Sequence, residues 1–330
     1  MRKLSAIMLG AAILTAATAQ AQVLSTTVTS DQFTTGNRGN ATGTGNVGLG
    51  ASKNDGTENA LNTGAEILPA GGITYINSYA GASGTGGAND TANGESPVMN
   101  VTTIKQPDRN NLFSALTSPV TVPANTRPGA ASGSDVLVIS DDGGLNQISI
   151  GDDTSMDYFA QVDFFAIDRS ADVGTPALYE ACYLGVRSSR NGTTTDFSYS
   201  VDRDPSYYIS YDYQTQTVKA AKAKLGNSSA QCVSRLASDL DGLYATQTAI
   251  TSAWHTMRIE AIGTNVKFYL DGALIGTNAG DATPIANGRA ALAYRESGVA
   301  SANETAGVFD NFSAGPIAAF TAVSDWTTYN

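Results

Sequence analysis

The chain has 330 residues, a formal charge of −11, 34 glycines, two cysteines and one histidine. An acidic chain without a basic cluster repels nucleic acid and anionic membrane surfaces, so neither is expected as a partner. Fourteen tyrosines and a charged fraction of only 15% argue against a disordered polymer, and a Cys/His zinc site is excluded in practice.

The first residues read as an export signal. Arg2 and Lys3 precede an apolar run from Leu4 to Ala17, and Ala19-Gln20-Ala21 offers small residues at the two positions a signal peptidase reads. A membrane span needs about 20 apolar residues, so cleavage is expected rather than anchorage. Loss of residues 1–21 leaves 309 and takes the charge to −13. The mature chain is expected outside the cytoplasm, in the periplasm, at the cell surface or secreted, with no later membrane span. In that oxidising setting Cys182 and Cys232 are expected to form one disulfide.

Residues 36–130 are dense in turn formers, such as Thr35-Gly36-Asn37 and Gly84-Thr85-Gly86-Gly87. Short strands are expected at Val23 to Val28, Ile73 to Tyr79 and Val98 to Ile104, with Gly81 to Glu95 a candidate linker. From residue 135 the pattern becomes more regular. Val136 to Ile139, the stretch around Phe159 to Ile167, and Ala177 to Val186 read as strands. Phe197, Tyr199 and Val201 alternate with polar residues, and so do Tyr207, Ile209, Tyr211 and Tyr213 beyond an Arg203-Asp204-Pro205-Ser206 turn. Lys219 to Leu225 and Ser234 to Leu243 are the only places where the pattern allows a short helix. Trp254 to Thr277 predicts a three-stranded meander: Met257, Ile259 and Ala261 alternate with Arg258, Glu260 and Ile262, Gly263-Thr264-Asn265 turns the chain, Val266, Phe268 and Leu270 form the return strand, and Asp271-Gly272 makes the second turn. Gly288 to Tyr294 and Val308 to Ala314 supply two more strands. Many short strands without βαβ alternation predict an all-β antiparallel sandwich.

The run WHTMRIEAIGTNVKFYLDGALIGT (Trp254 to Thr277), with GRAALAYRE (Gly288 to Glu296) and VFDNFSAGP (Val308 to Pro316), resembles the C-terminal half of concanavalin A-like lectin/glucanase domains, laminin G-like modules included. SDQF (Ser30 to Phe33) is similar to their opening strand. The resemblance implies a two-sheet antiparallel jelly-roll over about residues 22–315, with 316–330 a tail. It also implies that a structural calcium ion sits near the closing strand, with Asp310 and Asp31 as ligands; a purely hydrogen-bonding role for Asp310 is the alternative. Three acidic clusters resemble fragments of calcium loops: Asp141-Asp142-Gly143-Gly144, Asp152-Asp153 with Asp157, and Asp239-Leu240-Asp241-Gly242.

Catalytic signals are weak. Glycosidases need two carboxyl groups flanking the scissile bond, and the E-x-D-x-x-E string of laminarinase-type relatives is missing. Glu180, in an apolar strand, and His255, the lone histidine, are the catalytic candidates. A structural role outweighs catalysis for both. Tyr207, Tyr208, Tyr211 and Tyr213 form the densest aromatic cluster. Alternation puts Tyr207, Tyr211 and Tyr213 on one face with Ile209, a set that packs between sheets or stacks on sugar rings, with packing favoured. Tyr208, Ser210 and Asp212 on the opposite face are then the exposed, ligand-capable set. The expectation is a non-catalytic module binding a polysaccharide or cell-surface glycan. A divergent glycoside hydrolase or polysaccharide lyase, and a structural or adhesive surface protein, are the alternatives.

Overall fold

The computed structural model describes residues 23–25, 29–31, 66–67, 75–80, 101–104, 119–130, 136–139, 145–151, 154–172, 179–188, 206–223, 240–278, 281–297 and 305–317. Residues 1–22, Phe197 to Val201, Asp141 to Gly144, Asp152, Asp153 and Cys232 lie outside them. The described residues form sixteen strands and one short 3-10 turn at Ser170–Asp172.

The first sheet runs β14 (Ala273–Asn278), β13 (Asn265–Leu270), β12 (Trp254–Ile262), β7 (Tyr158–Phe165), β16 (Gly307–Pro316), β5 (Val136–Ile139), β4 (Val101–Ile104), with β1 (Thr29–Asp31) also paired to β16. The second runs β11 (Leu240–Thr248), β10 (Thr217–Ala223), β9 (Tyr207–Asp212), β8 (Tyr179–Ser188), β15 (Arg289–Ser297), β6 (Leu145–Ile150), β3 (Tyr75–Ala80), β2 (Glu66–Ile67). Every pairing is antiparallel. This is the two-sheet jelly-roll sandwich that the resemblance implies. Strands from the loop-rich N-terminal third extend both sheets.

Alternation builds the core. Val162 and Phe164 on β7, and Met257, Ile259 and Ala261 on β12, face Leu184, Ile209 and Leu292 of the other sheet, all at 0% exposure. The Asp271-Gly272 turn adopts the positive φ that its sequence favours, 50° and 79°. The edges β11 and β14 meet. A Cβ on Gly276 would lie 3.0 Å from the Tyr244 carbonyl oxygen, tighter than an ordinary van der Waals contact, so glycine eases this approach.

Three expectations change. Lys219 to Leu225 is no helix: its residues up to Ala223 form β10, hydrogen-bonded on both sides by β9 and β11, and this tertiary pairing overrides the helix preference of Lys and Ala. Leu240 to Leu243 likewise begins β11, so Asp241 lies in a strand rather than a calcium loop. Cys232 lies outside the described residues, and no disulfide is formed among those that are described. Cys182 is a free thiol, fully buried on the core face of β8, where burial pushes its pKa up to about 12.

Candidate functional site

Glu180 is part of the frame. Its carboxylate is 1% exposed. Oε1 accepts from the Tyr294 hydroxyl (3.2 Å), the Thr305 amide (3.1 Å) and the Thr305 hydroxyl (2.5 Å), and Oε2 accepts from Gln214 Nε2 (2.7 Å). Arg169 Nε lies 3.6 Å away, a buried ion pair. Burial raises the Glu180 pKa against the opposing pull of Arg169 and these donors. A raised pKa in a groove would suit an acid catalyst, but this carboxyl joins β8, β15 and the entry to β16 and faces no open space.

His255 is also held on both sides. Nδ1 lies 2.6 Å from Asp271 Oδ2 and Nε2 lies 2.9 Å from the Thr251 carbonyl. Both partners are acceptors, so the two contacts are satisfied together only when both ring nitrogens carry a proton, an arrangement that favours the imidazolium. Burial lowers its pKa, but the bonds to Asp271 and Thr251 prevail and the net shift is upward.

Tyr207, Tyr211 and Tyr213 lie inside the sandwich, each at 0% exposure. The Tyr211 hydroxyl donates to the Ile167 carbonyl (3.0 Å) and that of Tyr213 to the Ala306 carbonyl (2.8 Å). Phe164, Tyr211, Tyr213 and Tyr294 follow one another at ring separations of 5.6, 5.4 and 6.0 Å, linking the two sheets. Tyr207 donates to Asp281 (2.7 Å). Burial pushes the Asp281 pKa up, but bonds from Tyr207, Thr283 and Lys222 outweigh it and hold the carboxyl at about 2. The opposite face of β9 is not exposed as expected. Tyr208 is fully buried against Tyr183, rings 6.2 Å apart, beside Ala181, Ala221, Ala291 and Ala293. Asp212 is 8% exposed, and Oδ1 accepts the amides of Gln214 and Thr215, shaping the β9–β10 turn.

A different patch presents accessible, pre-arranged polar groups: the outer face of the first sheet, built on positions of β7, β12 and β13 that alternate with core residues. The Arg258 guanidinium lies 4.1 Å from the centre of the Phe159 ring. Its Nε and Nη2 donate to Glu260 Oε1 at 3.0 and 2.9 Å, and Nη1 reaches Gln161 Oε1 at 3.4 Å. The Tyr269 hydroxyl donates to Glu260 Oε2 at 3.0 Å. Arg258 and Glu260 remain 29% and 19% exposed. An aromatic ring, guanidinium, carboxylate, phenol and amide are thus fixed side by side before any ligand arrives. The sequence carried the signal: Arg258, Glu260, Lys267 and Tyr269 occupy the outward positions of the meander already read from it.

Beside this strip, segment 119–130 crosses the same sheet. Val122 is fully buried and the Trp254 indole donates to the Pro123 carbonyl (2.9 Å). Arg127 bonds Thr256 Oγ1 (2.6 Å), the Trp254 carbonyl (3.2 Å) and Asp271 (2.8 Å). Asp310, on β16, sits opposite Asp163 of β7, at 0% and 1% exposure. Asp31 pairs opposite Phe312, two positions away. Its side chain is not described.

The donor set does not fit a resident calcium ion, which takes six to eight oxygens. N–H and O–H groups meet both carboxylates. Among the described residues, no three His, Cys, Asp or Glu side chains converge. Asp157 is likewise engaged, by Arg187 and the Gly263 amide.

No family model and no curated protein matches the chain. Among solved structures it is similar to the carbohydrate binding module CBM66 from Bacillus subtilis: TM-score 0.35, 18% identity, covering 55% of this chain and 86% of the other. A β-glucanase from Bacillus licheniformis aligns with TM-score 0.35 and 12% identity, over 65% and 98%. The Emp47p carbohydrate recognition domain gives 0.38 and 11%, over 62% and 93%. Likeness at this level conveys nothing about a shared ligand.

Proposed function

We propose that the chain is an exported, non-catalytic β-sandwich that binds a carbohydrate or another hydroxyl-rich surface polymer on the outer face of its first sheet. The strip of Phe159, Gln161, Arg258, Glu260 and Tyr269 carries this reading. Planar donors and acceptors that fix one another suit hydroxyl groups, and their fixed geometry lowers the ordering cost of binding. Glu180 and His255 fit no catalytic role, because their polar atoms are already bonded within the frame.

The test is retention of the mature protein on a panel of neutral and acidic polysaccharides, with assay of new reducing or unsaturated ends. Wild type should be retained without new ends. Arg258→Ala, which removes charge-assisted bonds each contributing about 1.5–3 kcal/mol, should weaken retention about tenfold or more while the protein stays folded. Retention unchanged in Arg258→Ala and Tyr269→Phe would move the site elsewhere. New ends would make the protein an enzyme.

A further inference from the structure

Asp163 and Asp310 are two neighbouring carboxylates withdrawn from water. Burying like charges side by side is unfavourable unless opposite charge or strong donors compensate, and a bound cation is the usual solution. Here the compensation comes from the chain itself. One nitrogen, Asn125 Nδ2, lies 3.0 Å from Oδ2 of both aspartates. Asn311 donates its backbone amide to Asp310 Oδ1 (2.7 Å) and its side-chain amide to Asp163 Oδ2 (3.1 Å). Thr256 donates to Asp163 Oδ1 at 2.5 Å, and Arg127 Nε stands 3.8 Å from the same oxygen.

The orientation of both amides follows from their other partners. Asn125 Oδ1 accepts the Arg127 amide (3.1 Å), which turns its nitrogen to the carboxylates. The Asn311 nitrogen also donates to the Pro128 carbonyl (3.3 Å). Turning either amide to offer oxygen to a cation would break these bonds and set oxygen against oxygen. Asn311 itself holds a φ of 51° at the irregularity of β16, and the Gly129 backbone packs against its side chain. Arg127 supplies the fixed positive charge.

We infer that the closing strand is fastened by a metal-independent clamp, in which Asn125 and Arg127 of segment 119–130 stand where a calcium ion would otherwise balance Asp163 and Asp310. Asn125 decides the matter, because its nitrogen occupies the point between the two carboxylates. The inference concerns the frame alone and is independent of the polymer-binding reading.

The experiment is thermal unfolding of the mature protein in EDTA and in millimolar calcium, with equilibrium dialysis against calcium. Wild type should melt at the same temperature in both and take up no stoichiometric calcium. Asn125→Ala should lower Tm by roughly 5 °C or more, because it leaves two buried carboxylates short of a donor. Asn125→Asp, the same shape with oxygen in place of the donor, should be destabilised in EDTA and recover in calcium. Calcium binding by wild type with a rise in Tm would overturn the inference. So would an Asn125→Ala or Asn125→Asp protein as stable in EDTA as wild type, or an Asn125→Asp protein indifferent to calcium.

Discussion

Replacing Glu180 by alanine separates a structural carboxylate from a catalytic one. The substitution takes the Glu180 carboxylate away from buried Arg169 and removes the acceptor for Gln214, Tyr294 and both donors of Thr305. Removing one partner of a buried pair costs about 3–5 kcal/mol. At roughly 2–4 °C per kcal/mol for a domain of this order of size, Tm should fall by about 6–20 °C. Glu180→Gln keeps the shape and part of the bonding and should fall between wild type and alanine. The assay is thermal and urea unfolding followed by circular dichroism, run beside the polysaccharide assay. A Glu180→Ala protein that melts within about 2 °C of wild type would refute the structural reasoning. If it also lost a measurable turnover, the carboxyl would be catalytic.

Gly276→Ala should destabilise by about 1–3 kcal/mol, because its Cβ would press on the Tyr244 carbonyl at 3.0 Å; unchanged urea unfolding would show that the two edges can separate. The raised His255 pKa contributes stability that is fully present below the unfolded value of 6.5 and lost as pH rises through the higher folded value. Tm of wild type should therefore decline over that window and His255→Gln should show a flatter profile; equal slopes would remove His255 from the account. Cys182 should resist alkylation in the native protein and react after unfolding without reductant; an unfolded, unreduced protein with no titratable thiol would show that a bridge had formed.

The meander from Trp254 was legible because strict alternation and a two-residue turn are local signals, and the structure follows them nearly residue for residue. The burial of Tyr207, Tyr211 and Tyr213 was equally implied by their sharing a face with Ile209. β10 was misread because TVKAAKA has a helical composition, and its strand state comes from neighbours on both sides. The clamp was beyond reach: Asn125 meets Asp310 across 185 positions, and nothing local to a Pro-Ala-Asn-Thr-Arg stretch marks it as a partner of FDN. The exposed strip was available in principle. Arg258 and Glu260 alternate with the core residues of the meander, whereas Phe159 and Gln161 join them only through the pairing of β12 with β7.

Strand β16 is the last strand in the described chain, yet β7, β5 and β1 all hydrogen-bond to it. Thr29 is matched with Ala314, so the earliest described strand waits for almost the whole polypeptide before it has a partner. Contacts of such separation carry a large loop-closure entropy and slow the approach to the native state. Synthesis from the N-terminus therefore cannot complete the first sheet piecemeal, and a chain truncated before residue 307 would lose the partner of three strands at once.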